Sequence, residues 1–458
     1  MKKIITFIIL LLHSNYISSQ TNLKKCNTTF LVNNEIDNNT DYAKARNLTL
    51  DIDLTKVRNT IKIPIVIHII HRNSHSNIGS GTNISDAQIE DQLRILNEDY
   101  SKTNPEFPNP PRNTFLNNAG NPDIEFCLAT VDPDGNTTTG ITRTATSKIN
   151  WDADDDDNSN PCHESNGMKR NSCGGKDSWD PKKYLNIWVC DLTNSQSNGM
   201  TLGYAYLPGL LANPFNTSDD YKDGLVVDYR YFGTIGVAAI SSDGRTPTHE
   251  IGHYLGLMHT FCEEYDNQGN PVCCDNDNNN FGGYVDDTPA TKDIYFGSVS
   301  ANTNNNTCND LSYSNIFTSN VLDMDENYMS YASNTWMFSN GQVDVMLATL
   351  NTSEINGGRS ALKNSDVSTN CSNIISSSIN ISSKNDAIMY PNPAESHIYI
   401  QSAEQILSIS LSNILGEIVI HKRDLENRTI EISNLKNGIY FVNIKTKSGH
   451  ITKKLIKE

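Results

Sequence analysis

The chain has 458 residues, 37% of them hydrophobic, enough for two or three domains and an enzyme-sized core. Its 36 Lys and Arg against 53 Asp and Glu leave a net charge of −17, which argues against nucleic acid as a partner and suits a secreted surface. Ten cysteines fit an oxidising compartment.

Lys2 and Lys3 precede an apolar run from Ile4 to Leu12, and the small residues Ser18 and Ser19 follow it. That pattern predicts a secretory signal peptide over 1–20, too short to span a bilayer. No later segment has the length and apolarity of a transmembrane helix. Residues 21–58 separate this leader from the first strong strand, Ile61–Ile70, a β-branched apolar run bounded by polar residues.

Residues 85–99 predict an amphipathic helix with Ser85 as N-cap and Ile89, Leu93 and Leu96 on one face. Further strands are expected around Ile124–Val131, Leu185–Cys190 and Gly224–Val227. The run Trp151-Asp152-Ala153-Asp154-Asp155-Asp156-Asp157 reads as an insertion with a solvated acidic face. Eight cysteines between Cys127 and Cys308 permit four disulfides, and adjacent Cys273 and Cys274 call for different partners, Cys308 being a candidate for one.

The chemistry is concentrated in His249-Glu250-Ile251-Gly252-His253-Tyr254-Leu255-Gly256-Leu257-Met258-His259. On a helix, His249 and His253 share one face, so both imidazoles can reach one metal ion. Thr246 is the expected N-cap, with Pro247 in the first turn. Gly256 can take the left-handed conformation that ends the helix, and the turned chain brings His259 round as third ligand. Three protein ligands leave a fourth position open, the mark of catalytic rather than structural zinc. Glu250 is placed to work on a water at that position. A helix whose histidines merely hydrogen-bond in the core would have to explain three histidines, a glutamate and a glycine all at ligand spacing.

Beyond it, Asn327-Tyr328-Met329-Ser330-Tyr331 resembles the Met-turn of the metzincin peptidases. The stretches Ile84–Ile89, Leu96–Asp99, Tyr184–Val189, Leu202–Ala205, Asp223–Val227, Gly244–Thr248, Val285–Pro289 and Met337–Gln342 are similar to the bacterial branch of the pappalysins, over about residues 60–350. The resemblance implies an α+β catalytic domain over 59–355: a twisted sheet and helices above a cleft, irregular disulfide-tied structure below. It implies Met329 as the floor under zinc and Tyr331 as a phenol that hydrogen-bonds the tetrahedral intermediate. It also implies that Cys26 acts as a latency switch, its thiolate filling the open zinc position until cleavage near Lys56 or Arg58 releases residues 21–58 as a propeptide.

Two positions depart from the family pattern. Where relatives carry an acid and then a cysteine after the Met-turn, this chain has Thr335 and Trp336, so the implied specificity pocket loses its acid. Gly283 replaces an acid of the family's calcium site, leaving Asp286, Asp287 and the backbone at Thr288 as possible oxygen ligands, with Asp275 and Asp277 as substitutes.

From Asn356 to about 386 the chain turns Ser- and Asn-rich, which reads as a linker. Residues 387–458 hold nine Lys or Arg and seven Asp or Glu, and short alternating strands separated by turns at Asn413–Gly416, Asn437-Gly438 and Ser448-Gly449. With Asn437–Val442 and the terminal Lys453–Ile456, this tail resembles the C-terminal sorting domain of the type IX secretion system, a small β-sandwich. A surface-binding β-module is the competing reading. Together these features predict a secreted zinc endopeptidase acting on protein or peptide substrates. The alternative is a catalytically silent adhesion protein on the same scaffold.

Overall fold

The computed structural model describes residues 23–47, 60–274, 285–367 and 387–457, apart from 156, 158, 195–198, 215–216, 314–316 and, in the last segment, 391–393, 395, 403–405, 414–417, 424–428 and 447–449. The leader, Lys56, Arg58, Asp275, Asp277, Gly283 and Cys371 lie outside the described residues. Two compact units emerge, residues 1–371 and 372–458. No helix among the described residues is long and apolar enough to cross a membrane.

In chain order the first unit opens with β1 (Leu23–Lys24), α1 (Thr28–Asn38) and α2 (Thr40–Arg46), then β2 (Ile61–Arg72), α3 (Asp86–Tyr100), β3 (Ile124–Leu128) and β4 (Ile141–Thr146). There follow β5 (Leu185–Cys190), β6 (Thr193–Asn194), β7 (Gly199–Thr201), β8 (Gly203–Ala205) and β9 (Leu225–Asp228). The main sheet runs β3–β2–β5–β9–β8, with β4 also on β2, and is parallel except for β8. β2 is buried continuously from Ile63 to His71, as a central parallel strand covered on both faces must be. His68 is tolerated there because Thr142 Oγ1 lies 2.7 Å from its Nδ1 and Asn186 Oδ1 lies 3.0 Å from its Nε2.

α3 starts where expected, Ser85 Oγ accepting from the Gln88 amide at 3.2 Å. Its buried Gln88 and Gln92 donate to the carbonyls of Phe232 and Gly244, and so hold the loop that leads into the active-site helix. At Gly244, φ is +79°, and a Cβ would stand 2.3 Å from Ile95 Cδ1, so the turn needs glycine there. The helix spans Thr246–Tyr254, which makes Thr246 its first residue and Arg245 the N-cap, one position earlier than the sequence predicts. The turn at Gly244 sets the start, and Pro247 still falls in the first turn.

Two further expectations change. The Ser/Asn-rich linker placed at 356–386 begins with folded chain. Arg359, buried, pairs with Asp223 at 2.6 Å and donates to the Tyr254 carbonyl at the end of the active-site helix, while the Val367 carbonyl accepts from the Thr130 and Val131 amides. Disulfides join Cys162–Cys173, Cys262–Cys274 and Cys273–Cys308, and Cys127 is disulfide-bonded as well. Four bridges among the eight cysteines are not reached, because Cys190 is a free thiol sealed in the core at the end of β5.

The second unit is a small β-sandwich. One sheet pairs Ala387–Tyr390, His397–Ser402 and Thr429–Glu431; the other orders Ile418–Arg423, Ile406–Asn413, Gly438–Thr446 and His450–Lys457. Ile398, Ile400, Ile409, Leu411, Ile430, Val442, Ile444 and Leu455 fill its core. The alternation predicts six strands, from His397–Gln401 to His450–Ile456, and the strand at Ala387–Tyr390, directly before Pro391, adds one.

Candidate metal centre

His249 and His253 project from one face of the active-site helix, and Gly256, with φ +102°, reverses the chain so that the Leu257 amide bonds back to the Gly252 carbonyl at 3.0 Å. His259 then returns to the same point. The three Nε2 atoms stand 3.1–3.2 Å apart, all on buried rings. Each Nδ1 donates outward: His249 to the Tyr328 carbonyl at 2.7 Å, His253 to the Leu257 carbonyl at 2.8 Å, His259 to Glu263 Oε2 at 3.0 Å. With its proton on Nδ1, each neutral ring presents a bare lone pair at Nε2. Burial, then neighbouring imidazoles, push His249 and His253 well below the usual histidine range. Three converging lone pairs in a dry site repel one another unless a cation lies between them, so the donor set fits a zinc ion.

Glu250 follows on the helix and is fully buried. Its Oε2 accepts from Thr28 Oγ1 at 3.2 Å and Cys26 Sγ at 3.5 Å, while Oε1 has no hydrogen-bond partner. Burial pushes this carboxyl up to about 8. Gly203 on β8 passes close by: a Cβ there would stand 3.0 Å from Glu250 Cγ. Cys26 Sγ completes the constellation. It and the three imidazole nitrogens lie within 4.8 Å of one another, the one such group of His, Cys, Asp or Glu side chains among the described residues.

The segment carrying Cys26 crosses the cleft. β1 pairs parallel with β7, the Lys24 carbonyl accepts from the Leu202 amide, and the Asn27 amide donates to the Gly203 carbonyl. Lys25 Nζ donates to the Tyr331 and Ala332 carbonyls at 2.6 and 3.1 Å. The acidic run at 151–157 is more than a solvated insertion. Trp151 and Ala153 are core residues, the Ala153 carbonyl accepts from Asn27 Nδ2 at 2.6 Å, and Asp154 pairs with Lys24 at 2.7 Å.

Met329 lies fully buried beneath the helix, so close to Gly252 that a Cβ there would meet Sδ at 2.4 Å. The Tyr331 ring sits 5.0 Å from that of His259 and 5.7 Å from that of His249. Thr335 lines a cavity of roughly 270 Å³ together with Lys25, Asp243, Arg245, His249 and Tyr331. Trp336 does not. It is buried among Phe115, Val299, Met324 and Met337, because neighbours in extended chain face opposite sides. Of the expected calcium ligands, Asp287 accepts from Ser339 Oγ at 2.5 Å and from the Gly341 amide at 3.0 Å, anchoring the N-terminus of the Asn340–Asn351 helix. Asp286 is partly exposed beside it, and buried Thr288 turns its hydroxyl to the Val285 carbonyl.

Two residues were not foreseen. Asp99 accepts from Tyr328 Oη and Thr248 Oγ1, both at 2.7 Å, and so ties the Met-turn to the active-site helix; the sequence marked it only as the end of the family-like stretch Leu96–Asp99, with no role attached. Glu263 follows His259 in irregular chain, where no periodicity could mark it.

Residues 169–351 match a family described as pregnancy-associated plasma protein-A, and residues 388–458 match the secretion system C-terminal sorting domain. The chain is similar to Tannerella forsythia mature mirolysin in complex with a cleaved peptide, at 32% identity over 67% of this chain and 98% of that one, with a TM-score of 0.51. A promirolysin mutant from the same organism matches at 29% identity over 74% of this chain and 97% of that one, with a TM-score of 0.53. An extracellular metalloprotease of Pyricularia oryzae is 27% identical over 51% of this chain and 58% of its own length. Another, from Arthroderma otae, is matched over only 28% of its length, so the chain spans well under two thirds of these curated relatives.

Proposed function

The chain belongs to the pappalysin family of metallopeptidases, and on that footing we propose that it is a secreted zinc endopeptidase held latent by its own N-terminal segment. The observation that carries this is the convergence of three bare imidazole nitrogens beside a buried carboxyl with one unpartnered oxygen. Zinc bound by His249, His253 and His259 would supply Lewis acidity to a substrate carbonyl and to the attacking water. Glu250 takes the proton from that water and hands it to the leaving amine. Tyr331 donates a hydrogen bond to the oxygen that gains charge.

In the precursor, Cys26 takes the place of the water, and Thr28 occupies Glu250. The greater coverage by the precursor-form relative than by the mature one supports reading residues 21–58 as a propeptide. Lys25 in the pocket beside His249 supports a site open to cationic side chains despite Thr335, with Asp243 and the carbonyls of Tyr331 and Ala332 as acceptors. Calcium bound near Asp286, Asp287 and Thr288 would serve structure alone. The sorting domain would deliver the chain to the type IX machinery.

Casein hydrolysis by protein freed of residues 21–58 tests the reading. Activity should vanish with a chelator and return with zinc. Glu250→Ala should bind zinc and cut nothing, and His253→Ala should bind it poorly. Zinc-loaded, processed protein that cuts no polypeptide would leave the silent adhesion scaffold instead.

A further inference from the structure

The three histidines are not held alike. His249 and His253 donate to the backbone carbonyls of Tyr328 and Leu257, which the Met-turn and the helix end fix in place. His259 arrives on irregular chain, and its Nδ1–H goes to a side chain, Glu263 Oε2, at 3.0 Å. The Phe261 ring stacks on His259 at 4.7 Å and 11°, and Tyr331 meets it edge-on at 5.0 Å. Those contacts fix the plane of the imidazole, but an aromatic face cannot choose which nitrogen carries the proton. Glu263 can, because a carboxylate only accepts. The same Oε2 also accepts from the Thr29 hydroxyl at 2.6 Å, two residues past Asn27 in the segment that crosses the cleft.

We propose that Glu263 is the positioning residue of the third histidine, holding His259 with Nε2 bare and aimed at the metal. In the precursor it is also the point where Thr29 ties the N-terminal segment to the centre, beside the contacts of Cys26 and Thr28 with Glu250. This inference rests on the zinc reading above. Partners of this kind behind a metal-binding histidine typically change metal affinity by about 10- to 100-fold when removed.

Competition with a chromogenic chelator on the full-length precursor gives the zinc affinity directly, with no turnover needed. Glu263→Ala should bind zinc about 10- to 100-fold more weakly. Glu263→Gln, which keeps an acceptor oxygen, should recover most of that loss. Thr29→Val should bind zinc within about threefold of the parent, since its hydroxyl serves the segment and not the ring. A Glu263→Ala protein as tight as the parent, or a Glu263→Gln protein as weak as Glu263→Ala, overturns the proposal. Should Glu263→Ala fail to fold, the isosteric Glu263→Gln decides by proton NMR. The downfield imidazole N–H signal of His259 should move upfield when its partner becomes an amide, and an unmoved signal overturns the proposal. A parent that binds no zinc would remove the proposed function itself, whereas a tight parent and an equally tight Glu263→Ala remove this inference alone.

Discussion

Cys26 sits where three imidazole nitrogens already converge, and its segment also reaches Glu250 and Glu263 through consecutive threonines. Removing the thiol while keeping the rest separates ligand replacement from simple steric cover. Cys26→Ala precursor, still uncleaved at 21–58, should hydrolyse a small peptide about tenfold faster or more than the parent precursor, one decade being about 1.4 kcal/mol of lost inhibition. A variant as silent as its parent would mean that cover alone keeps the precursor quiet. The ligand positions were legible because i, i+4 spacing and a helix-ending glycine are local properties of the chain. Thr28, Thr29 and Glu263 were not, since each acts on a partner more than 200 residues away or on a ring in irregular chain. Trp336 was read on the wrong side because the face a residue takes after the Met-turn depends on a register that spacing does not reveal.

Among the elements, β2 carries the clearest signature, nine consecutive buried residues, yet it places a histidine at its centre. Burial, followed by the Lys176 charge, pushes His68 down to about 4 against the hydrogen bond to Asn186. The fold therefore favours the neutral ring, and the stabilisation is complete above the ordinary value of 6.5 and lost as pH falls towards 4. That loss amounts to about 3 kcal/mol for the one residue. Denaturant unfolding at pH 7 and pH 4.5 should show His68→Gln losing about 2–3 kcal/mol less than the parent across that interval. Parallel losses would mean that acid unfolding draws on other groups. Apolar periodicity gave β2, α3 and β5 nearly to the residue, and failed at 356–367. There the ordering force is an arginine, Arg359, whose partner Asp223 lies 136 residues earlier in the chain.

At the scale of the whole chain, the composition changes near residue 387, and the chain divides into compact units of residues 1–371 and 372–458. Among the described residues, the sandwich core draws on residues 394–455, and the paired strands of the tail find their partners within the tail. The first unit likewise closes its own sheet, and its last described segment is fastened by Arg359 and Val367. Among the described residues each unit thus has a hydrophobic core and a paired sheet of its own, which is what independent folding requires. A chain ended after Cys371 should unfold cooperatively at a temperature within a few degrees of the first transition of the intact protein, and should bind zinc with the same affinity. Expressed in a host with a type IX system, it should accumulate inside the outer membrane, while the intact chain reaches the medium. A truncated chain exported as well as the intact one would reassign the tail to surface binding. One that failed to fold would show that the sandwich supports the catalytic unit as well as addressing it.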